Sequence, residues 1–135
     1  MKHKLEKNGF ISYMVLCIAM GLILVWSLTY RQVVVMEQTV QEELVYTKNL
    51  YKVDGGITWF LLYCKDNWRK LRSSYVLENS NQYRLTVHHI VNKRDTISAI
   101  VTCEDKNYQL SSQKRIELGI DRNRQSIFIE QIYPY

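Results

Sequence analysis

The sequence predicts an α+β protein in which one long N-terminal helix, membrane-embedded over its first half, packs on a small antiparallel β-meander. Three observations predict this. Between Asn8 and Tyr30 there is no Asp, Glu, Lys or Arg. Beyond that run, apolar residues recur mostly every three or four positions as far as Leu71, which is the helical period. After Arg72 the period becomes two, in β-branched and aromatic runs separated by short polar turns.

Composition bounds what such a chain can be. With 135 residues, 47% of them apolar, 23% charged, and three Cys, it is neither disordered nor a disulfide-dense mini-protein. Setting the apolar run aside leaves about a hundred residues for folding, enough for a small core but not for a large enzyme cleft with a lid.

Residues 1–9 form a short charged leader carrying Lys2, Lys4 and Lys7. Residues 10–30, Phe10 to Tyr30, follow as a helix that at about 1.5 Å per residue crosses a hydrocarbon core of roughly 30 Å. Tyr13, Trp26 and Tyr30 lie near its ends, where amphipathic rings favour the headgroup level. The leader lysines, set against Glu37, Glu42 and Glu43 beyond Arg31, keep the N-terminus cytoplasmic and place the rest outside, as a single-pass protein. A cleaved secretory signal would have an apolar region of about 7–15 residues ending in a small-residue site, unlike Ser27-Leu-Thr-Tyr-Arg31.

Residues 31–72 continue the helix as an amphipathic, extracytoplasmic segment. Its apolar positions are Val33, Met36, Val40, Leu44, Leu50, Val53, Ile57, Phe60, Leu61, Cys64, Trp68 and Leu71, and no Pro interrupts them. One helix from Ile11 to Leu71 is the simplest expectation. Its weak point is Asp54-Gly55-Gly56, where each Gly costs about 1 kcal/mol relative to Ala and a bend or break would fall.

Residues 73–135 are the sheet. Ser73, Ser74, Glu78, Asn79, Ser80 and Asn81 mark a loop. Tyr83–Val91 is a strand with Tyr83, Leu85, Val87 and Val91 on one face. Thr96–Cys103, a polar strand from Tyr108 whose better half is Arg115–Ile120, and Ser126–Tyr133 complete a meander of about four strands. The turns are Asn92–Asp95, Glu104–Asn107 and Asp121–Arg124.

Few residues point to chemistry. There is no Gly-rich phosphate loop, no Gly-x-Ser-x-Gly and no His-Glu-x-x-His, so neither an enzyme nor a cofactor is expected. His88 and His89 are adjacent, so regular strand geometry points them to opposite faces and no metal site is expected. Cys17 lies in the apolar run. Cys64, on the helix, and Cys103, on the second strand, are a candidate disulfide pair in an oxidising compartment. Basic residues gather at element ends: Lys65, Arg69, Lys70 and Arg72, then Lys114-Arg115, and the hairpin tips Lys93, Arg94, Arg122 and Arg124. The four tip residues are candidate nucleic-acid contacts, because phosphate contacts need only clustered charge. From Arg31 on, 15 Lys+Arg face 12 Asp+Glu, a mild excess. Solvation and the helix macrodipole account for the same charges without a ligand.

The plan of a half-embedded helix with an antiparallel sheet behind it, together with Lys2-His-Lys-Leu-Glu-Lys-Asn-Gly9 running directly into Phe10, resembles the type IV pilins and pseudopilins. Within that class the chain is similar to the ComGG family of competence minor pseudopilins of Gram-positive bacteria. The similarity rests on Gly9-Phe-Ile11, Lys48-Asn-Leu50, Trp59-Phe-Leu-Leu-Tyr63, the strand Gln82–Ile90 and a basic hairpin near the C-terminus.

The resemblance implies a pilin-like fold and cutting by a prepilin peptidase between Gly9 and Phe10, with Phe10 becoming a methylated N-terminus. It also implies a structural role in a type IV pilus-like pseudopilus used for DNA uptake in transformation. The partners implied are other major and minor pseudopilins, the peptidase, the cell membrane and DNA, with the subunit at the cell surface once assembled. One position departs from the family pattern: Met14, fifth in the mature helix, stands where most pilins carry Glu. A subunit without that carboxylate cannot neutralise a neighbour's N-terminal amine inside the membrane, which points to a position at or near the tip, the alternative being incorporation anywhere by apolar packing alone. Two other readings remain, a type II secretion-like pseudopilin with the same processing and an unprocessed signal-anchored envelope binding protein.

Overall fold

A computed structural model describes the backbone of Lys2–Pro134 and the side chains from Gly9 to Pro134, so the side chains of the leader lysines lie outside the described residues. The chain divides into a unit ending at Gln41 and a unit beginning at Glu42. The helix α1 (Lys2–Asn67) contributes to both. The only Pro in the sequence is Pro134, at the far end of the chain, so nothing removes a helical hydrogen bond along α1.

In the first unit, α1 carries the stretch that is long and apolar enough to cross a membrane. Phe10, Leu16, Ile23 and Trp26 are among its exposed side chains, which is the surface that lipid rather than water would solvate. Thr29 Oγ1 donates to the Val25 carbonyl at 2.9 Å, so its hydroxyl is satisfied within the helix. Trp26 and Tyr30 stack at 6.1 Å near the end of the run.

In the second unit, α1 ends in one 3-10 turn (Trp68–Lys70). Five strands follow: β1 (Tyr75–Asn79), β2 (Tyr83–Asn92), β3 (Thr96–Asp105), β4 (Ser111–Asp121) and β5 (Ser126–Pro134). They form one antiparallel sheet in the order β1-β2-β3-β4-β5, the expected meander with one strand more. The extra strand, β1, lies in the segment expected to be loop. Its polar residues Glu78 and Asn79 are exposed, and it bulges at Leu77 so that this side chain joins the core.

The core lies between α1 and one face of the sheet. Val53, Ile57, Phe60 and Cys64, spaced by four, three and four residues, make a buried helical stripe. Leu85, Val87, Ile97, Ala99, Val101, Cys103, Ile116, Leu118 and Ile120 meet it from alternate positions of β2, β3 and β4. Lys114 Nζ reaches Asp54 Oδ1 at 2.6 Å, a half-exposed ion pair worth no more than about 1 kcal/mol.

The Gly pair does not break the helix. A Cβ on Gly56 would stand 2.9 Å from Val101 Cγ1, so the central strand approaches α1 closely at Gly56, whereas a Cβ on Gly55 would meet nothing within 4 Å.

The expected inward face of β2 is correct at Leu85 and Val87 and wrong at Val91, which is 48% exposed. Between His88 and Val91 the strand bulges, and Ile90 packs on the core instead. His89 at the bulge has φ 52°, so the two imidazoles do not point to opposite faces as expected; their ring centroids lie 4.7 Å apart. Partial burial and the facing His89 lower the His88 pKa.

The two glycines make opposite predictions. Gly55→Ala adds a better helix former at an open site and raises stability by about 1 kcal/mol. Gly56→Ala gains the same propensity but crowds the fully buried Val101, and overpacking of about 1–3 kcal/mol leaves it destabilised by roughly 1 kcal/mol. Denaturant unfolding of the full chain in detergent, followed by tryptophan fluorescence, checks both signs.

Candidate nucleic-acid interface

In an antiparallel meander, alternate turns fall at the same end of the sheet. The β2–β3 turn, with Lys93 and Arg94, and the β4–β5 turn, with Arg122 and Arg124, are therefore neighbours, and direct bonds hold them together. Arg122 donates from Nη2 to the Arg94 carbonyl at 2.6 Å, and its Nε lies 3.4 Å from Asp95 Oδ1. The Ile120 amide donates to the Asp95 carbonyl at 2.9 Å. Within the second turn, Asp121 Oδ1 accepts from the amides of Asn123 and Arg124, an Asx turn that its carboxylate builds locally.

The end of α1 joins the same pole. Asn92 Nδ2 donates to the Trp68 carbonyl at 2.7 Å, which ties β2 to the last helical turn. A cleft of about 220 Å³ lies between them, lined by Trp68, Arg69, Ile120, Asp121, Arg122, Gln125 and Ile127. A more open groove runs from Lys65 to Lys70 and also touches Gln125. Arg69 packs over the Trp68 ring at 4.9 Å.

Of the four tip residues expected to contact nucleic acid, all lie at this pole, but they are not equivalent. Arg122 clamps the two turns to each other. Arg124 stands 4.0 Å from Asp121 Oδ2 and is 85% exposed, and Lys93 and Arg94 are exposed. Lys65, Arg69 and Lys70, not grouped with the hairpin tips by sequence, share the pole. Meander parity could group the two hairpin tips, but only the Asn92–Trp68 bond brings the last helical turn beside them. Carboxylates at the pole are Asp66, Asp95 and Asp121, so cations predominate. The negative end of the helix dipole also favours cations there.

The other candidate pair does not come together. Cys64 and Cys103 are free, buried thiols in the same core. Cys103 Sγ lies 3.6 Å from Asn49 Oδ1, whereas Cys64 is fifteen residues further along α1, about 22 Å in helical rise. A disulfide needs Cα atoms within roughly 4.4–6.8 Å, so the expectation of a bond between them is corrected. Burial pushes the Cys64 thiol up to about 12 and also raises that of Cys103. Gly9 and Phe10 both lie within α1, and Phe10 is 65% exposed.

No protein-family model matches the chain, and no curated protein or solved structure matches it either.

The thiols carry a direct check. With Cys17→Ser, the native chain at pH 8 leaves Cys64 and Cys103 unmodified by a maleimide that labels both after denaturation. Its gel mobility is the same with and without reductant. Rapid native labelling, or a reductant-sensitive shift, would contradict the buried free thiols.

Proposed function

We propose that the chain is a non-enzymatic minor pseudopilin of a competence DNA-uptake apparatus. In this reading a prepilin peptidase cuts it between Gly9 and Phe10, and it is held in the cell membrane with its N-terminus cytoplasmic and its sheet outside. The observation that carries this reading is that a single helix, α1, contains both the charge-free apolar stretch and the stripe on which the antiparallel sheet is built. A simple signal anchor needs no such continuity.

A second feature supports assembly with partner helices. Leu44, Tyr51 and Leu62 are 69%, 74% and 56% exposed. Their spacings of seven and eleven residues put them on one helical face, opposite the stripe that meets the sheet. An apolar face of that kind, in a subunit whose own core is already filled, suits packing against neighbours in a filament. The absence of a carboxylate at Met14 fits a place at or near the tip.

The basic pole is where this subunit would meet DNA, through phosphates rather than bases. For the full chain in detergent, DNA affinity falls linearly with salt on logarithmic axes. Lys93→Ala and Arg94→Ala each weaken binding on all sequences and make that slope shallower by about 1. If no binding occurs even at low salt, the pole is a solvated surface and the role is structural.

Processing is tested at the native N-terminus. Mass spectrometry of the protein from its own membrane should find a chain beginning at methylated Phe10, and Gly9→Val should leave the leader attached. An intact Met1 in the native protein overturns the pseudopilin reading. Loss of transformation with secretion unimpaired in a deletion strain separates the competence role from a secretion pseudopilus.

A further inference from the structure

His88 and His89 are brought together by a backbone feature that strand alternation does not supply. His88 is paired with Ile100 and Val91 with Ser98, so His89 and Ile90 together oppose the single residue Ala99. His89 takes a φ of 52°, a left-handed conformation inside a strand that non-glycine residues rarely adopt. The result is that Nδ1 of His88 and Nδ1 of His89 stand 2.5 Å apart.

The other nitrogen of His88 is already assigned. Its Nε2 lies 2.8 Å from Thr102 Oγ1, and Thr102, only 5% exposed, in turn donates toward Gln113 Oε1 at 3.5 Å. A Thr102 proton directed to Gln113 leaves the Thr102 oxygen to accept from His88, which selects the Nε2–H tautomer. The neutral ring then presents a bare Nδ1 lone pair to His89. An oxygen holding the remote N–H of an imidazole is also what orients a metal-bound histidine.

We propose that His88 and His89 form a chelating site for a borderline divalent transition metal, Zn(II), Ni(II) or Cu(II), bound through both Nδ1 atoms. On binding, the proton on His89 Nδ1 moves to its exposed Nε2, so both rings stay neutral and no redox step occurs. Imidazole–metal bonds of about 2.0–2.1 Å require the two nitrogens to be roughly 3 Å apart, a small outward rotation of the exposed His89. Among the described residues no cluster of three or more His, Cys, Asp or Glu is placed to hold a metal, so the remaining positions take water or a donor from another molecule. Such a site ranks Cu(II) above Ni(II) and Zn(II).

The test uses the full chain in detergent with His3→Gln and Cys17→Ser, which removes a leader imidazole and an exposed thiol as competing ligands. Titration with Zn(II) or Ni(II) chloride should give saturable one-to-one binding. His88→Gln, which keeps a donor toward Thr102, and His89→Asn, which tolerates the left-handed backbone, should each lower affinity more than tenfold. Thr102→Val keeps both imidazoles but loosens the ring and should weaken binding by about tenfold. Histidine ring nitrogen spectra should show the metal-induced shift at both Nδ1 atoms. Non-saturable binding, coordination through Nε2, or one-to-one binding unchanged in His89→Asn would overturn the site.

Discussion

The second unit is constrained by a close approach between backbone and side chain: at Gly56 the helix has no Cβ, and one built there would stand 2.9 Å from Val101 Cγ1 of the central strand. The contact sets how deeply the sheet seats on α1. With Val101 under Gly56, Val53 and Phe60 fall to either side along the same stripe, and β3 lies beneath the helix with β2 and β4 flanking it. Two glycines that would weaken a free helix are therefore unequal. Gly56 is fixed by packing, and Gly55 is left facing open space. The helix stays continuous there because packing against the sheet supplies more than the propensity it lacks.

Once β3 is centred, connectivity does the rest. Short hairpins alternate ends, so the turns after β2 and β4 must share one pole, and the end of the helix stripe reaches that pole as well. The concentration of Lys and Arg there is a product of topology acting on residues that are scattered along the chain. It also explains why Arg122 serves as a brace. Two basic turns placed side by side need a bond that offsets their repulsion, and the Arg94 carbonyl with the Asp95 carboxylate provides it.

Much of this plan can be read from the chain itself. The charge-free run, the helical period and the four longer strands are each a local pattern with a local cause. What was not legible depended on single departures from pattern. β1 is five residues long, with only Tyr75, Val76 and Leu77 apolar, set between Ser and Asn clusters that signal a loop. The bulge at His89 hides because alternation assumes an unbroken pleat, and one extra residue moves Ile90 inward and Val91 outward. Cys64 and Cys103 share a core, but a core extends along the helix, and residue number places Cys64 on that helix without telling which of its turns Cys103 faces. The pole was half legible: its residues were visible as basic clusters, and their adjacency required the strand order.

The amphipathic segment of α1 shows a deeper ambiguity. Its apolar residues lie on more than one face, and the faces divide by burial. Leu44 is 69% exposed, whereas Val53, Phe60 and Cys64 are fully buried. Periodicity reports that a face avoids water and does not report what covers it. The sheet is five strands wide but covers only the helix from about Asn49 to Cys64, the span of its buried residues. A longer helix than its own sheet requires, carrying apolar side chains that the sheet does not reach, is a cost in solubility for a protein that acts alone. In the filament subunit proposed above, the same excess length would be surface for packing against neighbours, and the small sheet then need only be large enough to hold one end of the helix in a defined fold.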